Sequence, residues 1–212
     1  MTRGRFASGR AQPARAPAKR PLEATDGRRL QILRAATDVI CERGFDDTRI
    51  AEIAERAGVS GGTIIYHFQT LDHLLVEALK HAEAAFYSAA EQIVASEKTP
   101  KRRLRRLVEW VLSPADHDNR QLAALWIDTW SQATRHAEVA ATRAAQDERW
   151  RSLIASAAAG PGIAARDLER FAVGFGALLD GLMIQVALDD SSVTPETACK
   201  VAISWAEAIL KW

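Results

Sequence analysis

Residues 60–67, SGGTIIYH, combine small and polar side chains in a way that suits close contact with a polyanion. Small residues at the start of a helix let its free N–H groups come close to a phosphate or a base edge. Tyr66 and His67 then offer hydrogen-bonding groups at helical spacing, although both could instead be half-buried packing residues. The chemistry that this segment indicates is therefore binding rather than bond making.

The remaining reactive residues do not form a catalytic or metal-binding pattern. The five histidines show no H-x-x-x-H or cysteine-paired spacing, and Cys41 and Cys199 lie far apart. A lone G-x-G at 174–176 falls inside an apolar segment, and the sequence contains neither a Walker A motif nor a G-x-S-x-G elbow. We therefore expect no enzyme activity, no cofactor and no metal.

Two short helices joined by a tight turn are predicted to position residues 60–67. Ala54 is small enough for the point where the helices cross, Gly58 suits a turn that needs φ > 0, and Ile64 fills the space between the helices. Thr48 is expected to cap the first of the two helices. This spacing is the pattern of a helix-turn-helix, although an alanine-rich helical hairpin can show it too.

The rest of the chain also predicts helices, so we expect an all-α fold. Alanine is abundant, and no stretch alternates apolar with polar residues as a strand would. No apolar run reaches the roughly 20 residues that a membrane span needs. Apolar periodicity and the Gly or Pro breaks predict about nine helices. Their expected spans are 25–44, 49–56, 60–67, 70–96, 99–113, 117–134, 137–158, 166–188 and 195–211.

The first 22 residues differ from the rest in composition. They are rich in Ala, Pro, Arg and Gly, and they carry six basic side chains and no acidic one. We predict a disordered basic arm over 1–22, which either contacts nucleic acid or is only a solubilising tail. A helix-turn-helix domain over 23–70 and a larger helical domain over 71–212 are expected to follow. The few cysteines and the absence of a secretory apolar stretch favour the cytoplasm.

Residues 28–75 resemble the DNA-binding domain of the tetracycline-repressor (TetR) family. The matching stretches are ILRAATDVICERGFDDTRIAEIAERAGVS and GGTIIYHFQTLDHLL. The resemblance implies a three-helix DNA-binding head, a homodimer and a pseudo-palindromic operator. With Arg28 and Gly61 added for their positions, the residues expected at or near DNA are Arg28, Thr48, Ser60, Gly61, Gly62, Thr63, Tyr66 and His67.

Two departures from the family pattern reduce the positive charge of this head. Gly61 and Leu71 stand where the family often has lysine, at positions that usually meet phosphate. Residues 23–80 hold 7 basic and 10 acidic side chains, so the head itself is not basic. We therefore hypothesise that the arm contributes to phosphate or minor-groove contacts. The cations that we expect to make them are Arg15, Lys19, Arg20, Arg28 and Arg29.

The C-terminal part is similar to that of BetI-type, choline-responsive repressors, in the segments LAALWIDTWSQATRHAEV and ALLDGLMIQVALDD. Six tryptophans are many for 212 residues, and aromatic faces near Asp128 or Asp180 could hold an organic cation. Aromatic residues at helical spacing could equally be ordinary core. The candidate residues of a pocket for a small-molecule effector are Phe86, Trp110, Trp126, Trp130, Trp150, Asp180 and Met183.

The last two predicted helices are candidates for a dimer interface. The helix over 166–188 is apolar around its girth, and glycines at 174, 176 and 181 permit close approach of another helix. The family implies that both helices pair with their mates as a four-helix interface, while the alternative is an ordinary monomeric core. The candidate interface residues are Phe171, Phe175, Leu178, Leu182, Val201 and Trp205.

Together these features predict a one-component transcriptional regulator, a repressor that a small molecule releases from its operator. No membrane partner is expected. The alternative function is a helical dimer with a buried pocket that acts as a scaffold or small-molecule binder without regulated DNA binding. A basic cluster over 101–106 is expected to be a solvated helix start that faces acidic neighbours, although a second DNA or partner surface is possible.

Overall fold

The computed structural model describes residues 21–113, 117–135 and 137–212. Within those ranges the regular structure is helical, as predicted. Helix ends fall within two residues of the expected spans, except that the first helix begins four residues earlier. The predicted arm lies outside the described residues apart from its last two. The helices are α1 (Pro21–Arg43), α2 (Ile50–Arg56), α3 (Gly61–Phe68), α4 (Leu71–Ser96), α5 (Pro100–Val111), α6 (His117–Ala133), α7 (Ala137–Ala158), α8 (Ala165–Ala187) and α9 (Pro195–Leu210).

Threonine caps explain where three of the helices begin. The hydroxyls of Thr70, Thr99 and Thr194 each accept a hydrogen bond from the backbone N–H three residues later, in the first turns of α4, α5 and α9. Pro100 and Pro195 then occupy the first helical positions of α5 and α9, where a backbone donor is not needed. These local signals could be read from the sequence because they depend only on neighbouring residues.

The helices pack around two apolar cores that share α4. The first core joins α1, α2, α3 and the start of α4, with Leu125 of α6 also buried in it. The second core joins the rest of α4 to α5, α7, α8 and α9, with Ala123 of α6. We call residues 21–70 the head and residues 71–212 the body. At 1.5 Å per residue the 26 residues of α4 span about 39 Å, so one continuous helix connects the two cores.

A glycine in α8 lets a tryptophan of α9 approach it closely. A Cβ atom at Gly174 would lie 3.2 Å from the indole of Trp205, whereas one at Gly176 would meet only ordinary van der Waals contacts. Contrary to the sequence expectation, α8 is long and apolar enough to cross a membrane by length and composition. Core helices pass the same test, and α8 contacts α6, α7 and α9 of its own chain.

The basic cluster at the start of α5 faces acidic neighbours, as expected from the sequence. Lys101 and Arg105 both pair with Glu207 of α9, and Arg102 pairs with Glu97 just before α5. These contacts connect α5 to α9. They pair positive charges of the cluster with carboxylates of the same protomer. They do not support the alternative of a second DNA surface.

Candidate DNA interface and effector site

The side of α3 that faces away from the head core carries polar groups. Tyr66 is 81% exposed and His67 is partly exposed, whereas Ile64 and Phe68 on the opposite side are fully buried. Ser60 caps the helix, because its hydroxyl accepts a hydrogen bond from the Thr63 N–H at 3.1 Å. The first turn holds no acidic residue. The free N–H groups of α3 therefore meet no carboxylate of their own helix, and the helix dipole favours an anion there.

The turn between α2 and α3 has the geometry that the sequence predicts. Gly58 has φ +59, and the N–H of Val59 donates to the carbonyl of Ala54 at 2.9 Å. Cβ atoms at Gly61 and Gly62 would meet only ordinary van der Waals contacts within the chain. Packing inside the protomer therefore does not require glycine at either position. Close approach of a partner to the start of α3 is a physical reason for both.

Two side chains near the helix-turn-helix differ from the sequence predictions. Thr48 is fully buried, and its hydroxyl donates to the carbonyl of Gly44 at 2.7 Å. The N-cap of α2 is Arg49, so the prediction that Thr48 caps this helix is wrong. Ile65, whose apolar side chain and position beside the buried Ile64 favour the core side of α3, is instead 44% exposed. The tight corner after α1 turns the Thr48 hydroxyl inward, which leaves its side chain without access to DNA in this conformation.

Several head cations are engaged within the protomer. Arg29 pairs with Glu77 of α4 at 2.8 Å, and its guanidinium lies 5.0 Å from the centre of the Phe68 ring. Arg56 pairs with Glu42 through two hydrogen bonds, and these hold the pKa of Glu42 below its usual range. Arg28 is exposed at the start of α1. The head thus presents little free positive charge, and the predicted arm contacts fall outside the described residues.

Most of the predicted pocket aromatics gather around one phenylalanine in the body. The ring centre of Phe86 lies 4.7 Å from Trp126, 4.9 Å from Trp110 and 5.7 Å from Trp150. Met183 of α8 is buried in the same core. We call Phe86 and these three tryptophans the aromatic cluster. Trp110 and Trp126 are only partly buried, so one side of the cluster is accessible.

A buried polar group lies next to the aromatic cluster, and no sequence motif predicted it. Glu83 of α4 accepts a hydrogen bond from the side-chain amide of Gln146 in α7, and the Tyr87 hydroxyl donates to the Gln146 backbone carbonyl at 2.8 Å. Burial raises the pKa of Glu83 to about 7. One side-chain oxygen of Glu83 and one of Gln146 meet no hydrogen-bond partner among the described residues. Unsatisfied buried oxygens of this kind are costly unless a ligand or water supplies a donor.

The same polar region holds a buried arginine and a second, half-buried carboxyl group. The Arg143 guanidinium lies 5.1 Å from the centre of the Trp130 ring and pairs with Asp147. Burial raises the pKa of Asp180 to about 6, although the nearby charge of Arg143 opposes that shift. We call Glu83, Arg143, Gln146 and Asp180 the polar cluster. Arg143 therefore links Trp130 to Asp180: its guanidinium lies against the Trp130 ring, and its charge acts on the Asp180 carboxyl group.

Helix α6 contacts the head on one side and the aromatic cluster on the other. The Asp128 carboxylate accepts a hydrogen bond from the Phe45 N–H at 2.8 Å, and the Gln132 amide donates to the Asp46 carboxylate at 3.3 Å. Asp128 is therefore not beside the aromatic cluster, contrary to one sequence hypothesis. Trp126 projects from the other side of α6, toward Phe86. A rotation or shift of α6 would therefore change its contacts with both the head and the aromatic cluster.

A cavity of about 730 Å³ lies at the junction of the head and the body. Its walls come from the corner after α1, the first three turns of α4, the end of α6 and the start of α7, and they include Phe45, Leu71, Leu75 and Gln132. None of the seven predicted pocket residues lines it. The junction cavity and the aromatic cluster are thus separate places in the fold.

Three of the predicted dimer-interface residues are buried inside the protomer. Phe171, Phe175 and Leu182 are between 0% and 7% exposed, and the Phe171 and Phe175 rings stack with each other at 4.9 Å. The placement of these residues at a dimer surface is therefore wrong for this conformation, because α7 and α9 already cover that side of α8. Leu178 and Trp205 are partly exposed.

The apolar residues that remain exposed on α8 and α9 include one of the predicted set. Val201 is 45% exposed, Val173 is 58% exposed and Ile209 is 52% exposed. The last two were not predicted, since a uniformly apolar pattern does not tell which side a neighbouring helix covers.

Both parts of the chain match known families of regulators. Residues 32–78 match the family of bacterial regulatory proteins, tetR family, and residues 100–211 match the family of BetI-type transcriptional repressors, C-terminal. The HTH-type transcriptional regulator BetI of Burkholderia ambifaria (strain MC40-6) is 30% identical over 190 residues, which cover 86% of this chain and 94% of that relative.

Solved structures of similar proteins have the same architecture. A transcriptional regulator of Saccharomonospora viridis in complex with choline is 26% identical, with a TM-score of 0.77 over 86% of this chain and 96% of that one. A TetR-family regulator of Rhodococcus sp. has a TM-score of 0.73 at 22% identity, over 87% of this chain and 99% of that one, which shows the fold. Fold and matches together define a helix-turn-helix transcriptional regulator and not an enzyme. More particularly, the chain belongs to the TetR family and carries its BetI-type repressor C-terminal domain.

Proposed function

We propose that this protein is a cytoplasmic homodimeric repressor that binds a pseudo-palindromic operator through α3 and leaves it when an organic cation binds in the body. The observation that carries the DNA-binding part is the outward side of α3, which combines a helix N-terminus without an acidic residue in its first turn with an exposed Tyr66. Two such helices in a dimer can read half-sites about one helical turn apart.

The DNA contacts follow from the positions of the residues on α3. Backbone N–H groups around Gly61 and Gly62 suit phosphate, because nothing bulky covers them. Thr63, Tyr66 and His67 suit base edges and the walls of the major groove. Ser60, as the cap, and Arg28, as an exposed cation, complete the proposed interface, while Thr48 supports the head from inside.

The effector is proposed to bind where the aromatic and polar clusters meet. Phe86, Trp110, Trp126, Trp150 and Met183 supply apolar and aromatic surface. Trp130 and Asp180, with Glu83, supply a π face and carboxyl groups that favour a positive charge. The similar regulator from Saccharomonospora viridis was solved with choline, which supports an organic cation as the class of effector.

We propose that α4 and α6 transmit the effect of effector binding from the body to the head. A ligand can shift the protein only if it binds one arrangement of the heads better than the other. Helix α4 carries Glu83 and Phe86 in the body and Leu74 in the head core. Since α6 holds the corner at Phe45 through Asp128, movement of either helix would change the separation of the two α3 helices.

A second copy of the chain is proposed to cover the exposed apolar side of α8 and α9. The supporting observation is that Val173, Val201 and Ile209 remain exposed on these two helices, where a protomer alone leaves apolar surface in water. Leu178 and Trp205 lie partly exposed on the same helices.

An electrophoretic mobility shift with the DNA that flanks the protein's own gene tests the proposal. We expect the purified full chain to shift one specific fragment, with release by millimolar choline or tetramethylammonium but not by sodium. A specific shift that only uncharged or anionic compounds release would reject the cationic effector and keep the repressor. A chain that binds no fragment better than random DNA would reject the regulated DNA binding itself.

A further inference from the structure

Arg143 occupies an unusual place for a guanidinium, because it lies inside the body. It is 8% exposed, stacks on the Trp130 ring and pairs with Asp147 one turn further along α7. Its Nε–H meets no hydrogen-bond acceptor among the described residues. A buried charge with part of its hydrogen bonding unmet is costly, so a functional reason for its position is worth seeking.

Two further carboxyl groups, Glu83 and Asp180, are close enough for the charge of Arg143 to act on them. Burial outweighs this effect and raises their pKa values to about 7 and about 6. The other nearby cation, Arg149, is half-exposed and pairs with the exposed Glu91. A cation that reached both carboxyl groups would therefore stabilise their ionised forms.

We propose that Arg143 is a resident cation of the effector site: its guanidinium occupies the position, over Trp130 and near Glu83 and Asp180, that an organic cation takes when it binds. The inference rests on the proposed cationic effector and names the residue that limits its affinity. An aromatic face beside carboxylates is the surface that a quaternary ammonium group prefers. A second full charge at the same place repels the guanidinium, because Coulomb energies are large in a poorly solvated interior.

Binding of the effector therefore displaces the Arg143 guanidinium from the Trp130 ring, while its ion pair with Asp147, whose side chain is 36% exposed, is kept. The arginine stem is long enough for such a swing, and the ion pair gives the displaced guanidinium a place at the edge of the site. Arg143 thus acts as a competitor built into the chain. It sets a threshold concentration for the effector, and it selects against weakly bound cations.

Replacement of Arg143 by a neutral residue tests this directly. Kd values for tetramethylammonium and for the uncharged choline analogue 3,3-dimethyl-1-butanol are measured by tryptophan fluorescence and calorimetry. The proteins are the full-length wild type, Arg143→Gln, Arg143→Met and Arg143→Lys. Arg151→Gln is the matched control, since it removes an arginine of the same helix that pairs with the exposed Glu148. Circular dichroism melts establish that each variant is folded.

We expect R143Q and R143M to bind tetramethylammonium at least about tenfold more tightly than the wild type, which is about 1.4 kcal/mol. R143K and R151Q should remain within about threefold of the wild type, and the uncharged analogue should show no comparable gain. R143M keeps the test open if R143Q does not fold, because it fills the site without a buried polar group.

Two results would overturn the proposal that Arg143 is a resident cation of the effector site. One is a neutral variant that binds tetramethylammonium no more tightly than the wild type. The other is an equal gain for the uncharged analogue, which would mean only that space had been made. If the cation still releases the wild-type protein from its operator in either case, the proposed function survives and this inference fails. If no protein binds a cation, both the cationic effector and the resident cation fail, while specific operator binding remains a separate result.

Discussion

At the scale of single residues, Tyr66 is an aromatic side chain with little packing role in its protomer. It is 81% exposed, and its ring contacts the neighbouring His67 edge-on at 5.2 Å. Its ring and hydroxyl are therefore free to contact a partner, on a helix whose N-terminus favours an anion. This makes Tyr66 the sharpest probe of the DNA interface.

We predict that Tyr66→Ala weakens specific operator binding by about 1–3 kcal/mol, because it removes one contact to the duplex. The free energy of unfolding should change by less than about 0.5 kcal/mol, since the side chain is exposed. Fluorescence anisotropy with the operator and urea unfolding measure the two quantities. Gln92→Ala, an exposed position on α4, is the control. Equal operator affinity for Y66A and Q92A would contradict the proposed interface.

Single positions also show which structural features the sequence alone can predict and which it cannot. Gly58 and Ser60 could be interpreted locally, because a positive φ and a helix cap depend on adjacent residues. Thr48 could not, since the same hydroxyl can cap a helix or close onto the carbonyl of Gly44, and the backbone of the corner decides. Phe171 was misplaced for a similar reason: its apolar character is clear, but which helix covers it is a tertiary property.

At the scale of helices, the pattern of the sequence predicts elements better than the contacts between them. The buried stripe of α4 passes through Leu79, Glu83, Phe86, Ala90 and Val94. A carboxylate in the middle of such a stripe is the signal that could have revealed the polar cluster. Its partners on α7 lie about 60 residues away along the chain, and no local pattern states that α4 and α7 meet there.

The junction between α6 and the head gives a prediction that does not depend on any effector. Asp128→Ala removes the acceptor of the Phe45 N–H, so this amide should exchange with solvent at least about tenfold faster. Hydrogen exchange measured by NMR or mass spectrometry reports the corner directly. Gln132→Ala, which removes the longer 3.3 Å hydrogen bond to Asp46, should have a smaller effect. No change at Phe45 in D128A would mean that α6 does not hold the corner.

The polar cluster gives a pH dependence whose sign follows from the raised pKa of its acid. The Glu83 pKa rises from 4.5 to about 7 on burial, so the folded protein holds a proton that the unfolded chain has lost between these values. The stability that this provides is present below about pH 4.5 and is lost as the pH rises through about 7. The charged groups that act on it are Arg143, Asp147 and Arg149 on α7.

We therefore predict that Glu83→Gln changes the pH profile of stability. The difference in unfolding free energy between wild type and E83Q should shift in favour of E83Q from pH 5 to pH 8, by at most about 3 kcal/mol at 1.36 kcal/mol per pKa unit. Urea unfolding at a series of pH values measures it. The exposed Glu91→Gln is the matched control and should show no such trend. Parallel profiles for wild type and E83Q would show that Glu83 is ionised in the folded protein.

At the scale of the whole molecule, the two cores explain how one chain can sense and bind at different places. The head core and the body core are each continuous, and α4 and α6 are the helices that enter both. The junction cavity lies where these two helices leave the head, so the head is not packed against the body on every side. Such a joint permits tilting of the head without disturbing either core.

The proposed dimer interface follows from the exposed apolar surface of one protomer, and a charged substitution on that surface tests it. Val201→Glu places a carboxylate on the exposed apolar side of α8 and α9, where it costs little in a protomer but would be buried without a partner charge in the proposed dimer. We expect V201E to sediment as a monomer at micromolar concentration and to lose at least about a hundredfold in operator affinity, because two linked heads bind far more tightly than one. Ala95→Glu is the control, since Ala95 is exposed near the end of α4. A V201E protein that remains dimeric while its fold is intact would place the dimer interface on another surface and leave α8 and α9 without the assigned partner.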